Sequence, residues 1–355
     1  MFASTVRPIL AIDLGKYKSV ACVYDRDSAE VVFRSVSSSR EEFQRLIERS
    51  QPSVVVIEAC TLAGWVHDLC VQLGVPCRVA NTASEAWKFK HSKRKTDRDD
   101  ALRLAELAAL GQLPTVTIPA KPVRERRALI ATRQALIGRR TAAQNRIRAI
   151  LLGQGLAAPV GHRAWTEAGR AALAELAKPL ADCAPDELWR GLVDLRLTEL
   201  VQTEALIATT ESALHRLAQA DPATGLLQTI PGVGPRTAET IAAHLDDPKR
   251  FRKGKQVSAY AGLVPRQYQS GEMDRRGRIT KRGPAILRKL LVECAWAMLR
   301  YNTWARTTWM RLTKGGATRK KPAIVALARR LLVRCWAMLR DGRPWREPAP
   351  ALAVT

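Results

Sequence analysis

The sequence lacks any uninterrupted apolar segment of the length that a membrane helix requires. No stretch of eighteen or more apolar residues is free of charge. The first residues lead directly into a strand-like segment, without the apolar core of a cleavable signal. These absences predict a soluble, cytoplasmic protein with no membrane partner.

Cysteine is scarce and is not arranged for bridging or for metal binding. The seven cysteines are odd in number and scattered, and no two of them form a Cys-x-x-Cys pair. Disulfide frameworks and zinc sites both show regular cysteine spacing. We therefore expect the thiols to act as small apolar residues in a reducing compartment.

Acidic residues are few compared with basic ones. The 355 residues include 58 Lys and Arg against 33 Asp and Glu, a formal net charge of +25. Residues 245–345 hold 25 basic and 6 acidic residues, a net +19, together with five tryptophans; the chain before them holds +8 up to residue 144 and −2 from there on. A concentrated basic surface with interleaved aromatic residues favours nucleic acid as the partner. The alternative is a solvated basic face above buried tryptophans.

The first hundred or so residues have the pattern of an α/β domain. Three β-branched runs (PILAIDLG, SVACVYD and EVVFRSV) precede an amphipathic helix in REEFQRLIERS. A buried strand (SVVVIEAC), a helix ending at Gly74, a short strand (PCRVAN) and a further helix follow. This order of elements is that of the ribonuclease H and RuvC fold, although the order of elements alone proves no activity.

The middle of the chain has the pattern of long helices. Two stripes of apolar residues recur every seven positions and are separated by a segment rich in Gly, Pro and Ala. They predict an antiparallel helical hairpin or coiled coil that serves dimerisation or spacing, while packing within one chain is equally compatible with them. The stripes are Leu129, Leu136, Ala143 and Ile150, and Val193, Leu200, Ile207 and Leu214.

The segment TIPGVGPRTAETI is typical of a helix-hairpin-helix motif. Pro231 is expected to end one helix, and the turn Gly232-Val233-Gly234 to open the next. Because glycine lets the backbone approach a phosphate closely, the free N–H groups of the new helix could contact a nucleic-acid backbone there. Arg236 strengthens that expectation, and a tight helix corner is the alternative.

Four acids stand out by their contexts. Asp13 and Glu58 lie in otherwise apolar strands, where an ionised side chain is costly unless it is paired or bound to a metal. Asp97 and Asp100 are three residues apart at the start of a helix and share a face, whereas Asp99 points elsewhere. Clustered carboxylates select hard cations, so we expect Mg²⁺ or Mn²⁺ and two-metal phosphodiester chemistry. The basic residues expected beside the scissile backbone are Lys93, Arg94, Lys95 and Arg98.

A rival interpretation starts from the same first strand. The triplet DLG with Ser19 downstream also resembles the phosphate loop of actin-like and sugar-kinase ATPases. That hypothesis predicts further Gly-rich nucleotide motifs, which are not evident in the sequence. It also leaves Asp97 and Asp100 without a role.

The C-terminal residues carry a resemblance to a known family. The segment KQVSAYAGLVPRQYQSGEMDRRGRITKRGPAILRKLLVECAW, together with KTDRDDA and IPGVG, resembles the IS110 family of insertion-sequence transposases, including its IS1111 subgroup. The resemblance covers nearly the whole chain. It implies a RuvC-like DEDD domain whose acids are Asp13, Glu58, Asp97 and Asp100, joined through a coiled coil to a transposase domain in which Ser270 is the nucleophile.

The same resemblance implies the partners. Members act on double-stranded donor and target DNA, are guided by a structured bridge RNA, and assemble a composite active site from different protomers. A homo-oligomer, either a dimer or a tetramer, is therefore expected, associated with the nucleoid when it acts. One departure from the family is Gly283-Pro284, where many relatives have glycine followed by asparagine; proline is compatible with the start of a helix there.

The surroundings of Ser270 agree with the role that the resemblance implies. Gly271 follows it and leaves the hydroxyl accessible. Attack on a phosphodiester develops negative charge that positioned guanidinium groups can stabilise, and a serine hydroxyl needs activation because it is weak at its own pKa. The neighbouring basic residues are Arg266, Arg275, Arg276, Arg278 and Lys281.

These features together predict an α/β plus α architecture. We expect a RuvC-like domain over residues 1–120, a helical coiled-coil spacer over 121–220, a helix-hairpin-helix and basic transposase domain over 221–345, and a tail over 346–355. The predicted function is that of an RNA-guided DNA transposase and recombinase. The alternatives are a RuvC-type, metal-dependent junction nuclease without a covalent intermediate, and a non-catalytic architectural nucleic-acid binder.

Overall fold

The computed structural model describes residues 7–81, 96–157, 161–270 and 273–347. The chain divides into two compact units, Met1–Lys121 and Pro122–Thr355. The finer division at residue 220 and the separate tail remain predictions. Among the described residues, no helix is both long and apolar enough to cross a bilayer.

The first unit is a six-stranded sheet with helices on both faces. The strand order is β3-β2-β1-β4-β5-β6, in which β1, β4 and β5 are parallel to one another and the other pairings are antiparallel. The order of elements predicted from the sequence is present, and the two-residue strand β6 is an addition to it. The bounds are β1 Ile9–Asp13, β2 Lys18–Tyr24, β3 Val31–Ser37, α1 Arg40–Ser50, β4 Val54–Glu58, α2 Ala63–Gln72, β5 Cys77–Ala80, α3 Asp97–Ala109 and β6 Thr115–Val116.

The two faces of this sheet are covered by different helices. Ile9 and Ala11 of β1 pack in one core with Leu104 of α3. Leu10 and Ile12 point the other way and pack in a second core with helices α1 and α2. Because both faces are buried, the central strands appear in the sequence as continuous apolar runs. The α3 side is therefore defined by every second residue of β1, and that side matters for the acids.

The second unit is mostly helical. Its core is built from α7 to α12, with residues such as Leu291 of α10 and Leu331 of α12 fully buried. The bounds are α4 Lys121–Gly153, α5 Glu167–Leu176, α6 Leu188–Gln219, α7 Pro222–Gln228, α8 Pro235–Leu245, α9 Gly254–Tyr260, β7 Pro265–Ser270, β8 Met273–Ile279, α10 Ala285–Tyr301, α11 Thr303–Thr313 and α12 Lys320–Asp341.

The long helices α4 and α6 form an antiparallel pair within the chain. Ile130 packs with Leu214 near one end, and Ile147 packs with Val193 near the other. The Arg133 guanidinium forms an ion pair with Glu211 between them. The helical hairpin is therefore present, and the heptad positions are buried against each other within one chain. On α4 the buried set drifts from the predicted residues to Ile130, Ile147 and Leu151, because a straight helix of 3.6 residues per turn does not keep a seven-residue repeat.

The cysteines are largely internal. Cys22, Cys70, Cys294 and Cys335 are buried, and all seven thiols are free. Burial, reinforced by the negative charge of Glu106, raises the pKa of Cys22 to about 12. A thiol of such high pKa stays protonated and unreactive, in keeping with a packing role.

Candidate active site

Asp13 and Glu58 end two neighbouring parallel strands on the same side of the sheet. Ile12 of β1 is paired with Ile57 of β4, and each acid is the next residue along its strand. Since side chains alternate along a strand, Asp13 follows Ile9 and Ala11 onto the α3 side. By the same alternation Glu58 projects to that side, and both acids are half-buried.

The first turn of α3 carries the other two acids. Thr96 is the N-cap, and its hydroxyl accepts a hydrogen bond from the Asp99 N–H while the Asp99 carboxylate accepts one from the Thr96 N–H at 3.1 Å. Asp99 thus forms a capping box, which the Thr-x-x-Asp spacing could have predicted. Asp97 is exposed, whereas Asp100 is only 8% exposed and shares the sheet-facing side of the helix with Leu104.

The four acids are thus carried by β1, β4 and α3, which pack together on one side of the sheet. A buried carboxylate such as Asp100 is stable only when it is paired, hydrogen-bonded or metal-bound. Carboxylate oxygens are also the ligands that Mg²⁺ and Mn²⁺ prefer. Within the residues that the structure describes, no three His, Cys, Asp or Glu side chains already stand together as a metal site. The donor chemistry fits a hard cation, which would have to draw carboxylates together from separate elements.

The turn after Asp13 is fixed by side chains. The Ser19 hydroxyl accepts a hydrogen bond from the Gly15 N–H at 3.2 Å, and the Ser38 hydroxyl donates to the Gly15 carbonyl at 2.7 Å. A Cβ at Gly15 would stand 2.0 Å from the Lys18 carbonyl oxygen, so the turn requires glycine. Ser19 is 1% exposed. Such a buried serine is not placed to bind a nucleotide phosphate, which removes the support for the ATPase interpretation.

The basic residues predicted beside the acids are partly described. Lys93, Arg94 and Lys95 lie outside the described residues. Arg98 is exposed on α3, and its guanidinium carbon lies 5.6 Å from the centre of the Phe33 ring.

The predicted nucleophile occupies the end of a two-stranded hairpin. Ser270 is the last residue of β7 and pairs with Met273 of β8. Tyr268 pairs with Arg275, so that position stands two residues along the ladder from Ser270. The hairpin was not predicted as such, because polar residues follow one another along both strands and give no apolar face. Within or beside the hairpin, the exposed cations are Arg266, Arg275, Arg278 and Lys281, while Arg276 pairs through its backbone with Gln267.

The IPGVG segment forms a helix corner. Helix α7 ends at Gln228, three residues before Pro231, and α8 begins at Pro235 with Gly234 as its N-cap. Gly232 has a φ of +89°, and an added Cβ there would meet Met298 at 2.9 Å, so glycine is required. DNA contact through this corner remains a prediction.

Arg236, expected to bind nucleic acid, has a partner inside the protein. Its guanidinium forms an ion pair of 2.8 Å with Glu239, which also lies 3.5 Å from Arg126. Burial raises the pKa of Glu239 although both guanidinium groups oppose that change. Arg236 therefore neutralises a buried acid, a role that the sequence did not suggest.

The mixed sheet with helices on both faces and acids at its strand ends defines the class of protein: the first unit is consistent with a DEDD nuclease-like domain. Comparison with known families then identifies the particular family. Residues 10–154 match a DEDD transposase family of IS110 type, and residues 224–310 match the family described as Transposase IS116/IS110/IS902. The chain belongs to the IS110 family of insertion-sequence transposases, enzymes that cut and rejoin DNA.

Individual relatives agree with this membership. The chain is 29% identical to the transposase for insertion sequence element IS1111A of Coxiella burnetii, over 95% of this chain and 91% of the relative. It is 31% identical to a probable family 20 transposase of Pseudomonas aeruginosa, over 92% and 96%. A shorter match, 34% identical over 34% of this chain and 38% of the relative, is to a pilin gene-inverting protein of Moraxella bovis.

Proposed function

We propose that this transposase exchanges DNA strands through a covalent intermediate on Ser270, with Asp13, Glu58, Asp97 and Asp100 as the acids of the catalytic centre. The observation that carries the acid half is that β1, β4 and α3 present these carboxylates on one side of one sheet. The serine half is supported by the place of Ser270 at the end of an exposed, cation-bearing hairpin.

The proposed reaction conserves phosphodiester bonds. The Ser270 oxygen attacks phosphorus, a serine–phosphate ester forms, and the bond from phosphorus to one sugar oxygen breaks. The serine hydroxyl loses its proton and the departing sugar oxygen gains one. A sugar hydroxyl of another strand then attacks the same phosphorus and releases the serine, so no external energy source is required.

The surrounding side chains have distinct roles in this proposal. The four acids would hold Mg²⁺ or Mn²⁺, which as a Lewis acid would stabilise charge on the phosphate oxygens. Exposed guanidinium groups such as those of Arg266, Arg275 and Arg278 would bind the same oxygens, because planar N–H donors match phosphate geometry.

Trapping of the intermediate tests the serine. A DNA substrate with a nick beside the cleavage point should accumulate a protein–DNA adduct with the wild-type enzyme and none with Ser270→Ala. Thr280→Val is the matched control, because it removes a hydroxyl at the far end of the same hairpin that has no hydrogen-bond partner among the described residues. An adduct of normal yield in Ser270→Ala would contradict the proposal, and would favour a junction nuclease if free ends were produced instead.

We further propose that the catalytic centre is composite, with acids and serine from different protomers. The four acids lie in the first compact unit and Ser270 in the second. Mixing two inactive variants, Asp13→Asn and Ser270→Ala, should then restore strand exchange, because one mixed site receives an intact acid set and an intact serine. No recovery on mixing would show that both come from the same chain.

Guide RNA is proposed as the source of target choice. The support is the large basic excess, which exceeds what contacts near Ser270 alone would use, and the family resemblance. RNA that copurifies with the protein should be one discrete structured species that matches DNA beside the coding gene. A protein that copurifies only with random cellular RNA would contradict this part of the proposal while leaving the serine chemistry intact.

A further inference from the structure

The C-terminal helices enclose a cationic cleft that the sequence did not single out. It has a volume of about 600 Å³ and lies among α9, α11 and α12. Five of its lining residues are cations, and no Asp or Glu is among the described residues that line it. We call it the arginine cleft; its cations are Lys255, Arg311, Arg329, Arg330 and Arg334.

The cations of the arginine cleft are held together against their mutual repulsion. Arg330 and Arg334 are one helical turn apart on α12, a spacing at which like charges destabilise a helix. Burial lowers the pKa of the Arg330 guanidinium, and the neighbouring Arg311 and Arg329 lower it further. In the described part of the chain, none of these four arginines has a carboxylate partner.

One of the arginines is fixed in place by two indole rings. The Arg334 guanidinium carbon lies 4.5 Å from the centre of the Trp304 ring and 5.2 Å from that of Trp345. The two rings meet edge to face at 5.5 Å. Cation–π contacts of this kind hold a guanidinium without neutralising it. Its donors therefore remain available to an anion in the cleft, which Trp304 also lines.

We infer that the arginine cleft binds backbone phosphates of a nucleic acid that the enzyme acts on or is guided by. Preformed guanidinium groups with no internal acid suit phosphate oxygens, which accept two parallel N–H donors. A nucleic acid fits better than a small phosphate metabolite because the cleft lies within the segment of net charge +19. The inference rests on the proposed function and names one of its binding surfaces.

The cleft also has a defined relation to the hairpin. Val264 lines the cleft and immediately precedes β7, whose last residue is Ser270. Six residues of strand rise about 20 Å, which corresponds to about six base steps along a duplex. A nucleic-acid backbone seated in the cleft could therefore continue along the hairpin toward the proposed nucleophile.

A double substitution tests this surface. Arg329→Gln with Arg330→Gln should weaken binding about tenfold near 0.1 M salt and make the salt dependence shallower by about one unit of log–log slope. Arg340→Gln is the matched control, because it lies on the same helix, is exposed, and is ion-paired with Asp341 at 2.7 Å. That control should change affinity by less than about twofold.

Two ligands distinguish the source of the phosphates. The titrations are made with duplex DNA and, separately, with a structured RNA. Weakening confined to DNA assigns the cleft to donor or target DNA, and weakening confined to RNA assigns it to a guide. Unchanged affinity and slope for both ligands would overturn the inference, whereas failure of the wild-type protein to bind either would count against the proposed function itself.

Thermal unfolding separates binding from folding. Without added anion, the double variant should melt at the same temperature as wild type or higher, because like charges have been removed. Inorganic phosphate should raise the midpoint of the wild type and leave that of the variant unchanged. A variant that melts lower than wild type and gains equally from phosphate would show that the arginines are structural and would overturn the inference.

Discussion

At the residue scale, neighbouring acids of the first unit have different roles. Asp99 closes a capping box with Thr96, whereas Asp100 is buried on the side of α3 that faces the sheet. Charge near a helix N-terminus stabilises the helix wherever it stands in the first turn. Catalysis instead depends on which side of the helix carries the carboxylate.

This difference predicts opposite outcomes for adjacent substitutions. Asp99→Ala should lower the free energy of unfolding by about 1 kcal/mol and leave DNA cleavage close to wild type. Asp100→Asn, like Asp13→Asn, should lower the cleavage rate by about a hundredfold or more and leave DNA binding unchanged. Urea unfolding and single-turnover cleavage measure the two effects. Equal cleavage by Asp99→Ala and Asp100→Asn would contradict the assignment.

His244 gives the second unit a predicted pH dependence. Burial, helped by the charges of Arg127 and Arg250, lowers the pKa of His244 to about 4. Because the unfolded chain titrates near its ordinary value of about 6.5, stability is fully present above that pH and is lost as pH falls toward 4. Between pH 7 and pH 5 the wild type should lose about 2 kcal/mol from this group.

The control for that prediction is His244→Gln, unfolded in urea at the same two pH values. Glu239, whose pKa burial raises, contributes in the opposite direction in both proteins, so the difference between them isolates the histidine. A variant that loses as much stability as the wild type between pH 7 and pH 5 would show that other groups are responsible.

At the element scale, sequence periodicity predicted the elements but not all their partners. The order of strands and helices up to α3 followed from apolar runs and helix signals, because each run is buried on one or two faces. The hairpin of β7 and β8 gave no such signal, since its residues are mostly exposed. Likewise, the charge of Arg236 suggested DNA binding, whereas its partner Glu239 became evident only when α8 and its neighbours were packed.

The paired helices α4 and α6 give a prediction at this scale. Leu200 is fully buried on α6, whereas Leu206 on the same helix is 50% exposed. Leu200→Ala should therefore lower the free energy of unfolding by about 2 to 5 kcal/mol, and Leu206→Ala by less than about 0.5 kcal/mol. Urea unfolding of the two variants checks this, and a larger loss for Leu206→Ala would mean that the outer face is covered.

At the scale of the whole molecule, charge and chemistry occupy different parts of the chain. The acids lie in the first unit, and the largest basic excess lies in the second, around Ser270 and the arginine cleft. The sequence could predict that division from counts alone. It could not predict that part of the excess lines a cleft, because Lys255 and Arg311 meet Arg330 only through the packing of three helices.

Salt should therefore control binding strongly. Each phosphate neutralised contributes about −0.9 to the slope of log affinity against log salt. If six or more phosphates are contacted, raising salt from about 50 to about 200 mM should weaken duplex binding by about a thousandfold. Filter binding over that range measures the slope, and a flat response would contradict an electrostatic interface.

The most direct test of the central claim is to identify the amino acid that becomes joined to DNA. The wild-type enzyme is reacted with a nicked substrate in Mg²⁺, the DNA is digested, and the nucleotide-bearing peptide is sequenced by mass spectrometry. The account predicts a nucleotide on Ser270, absent from Asp13→Asn. A nucleotide on another residue, or strand exchange with no modified peptide, would contradict it.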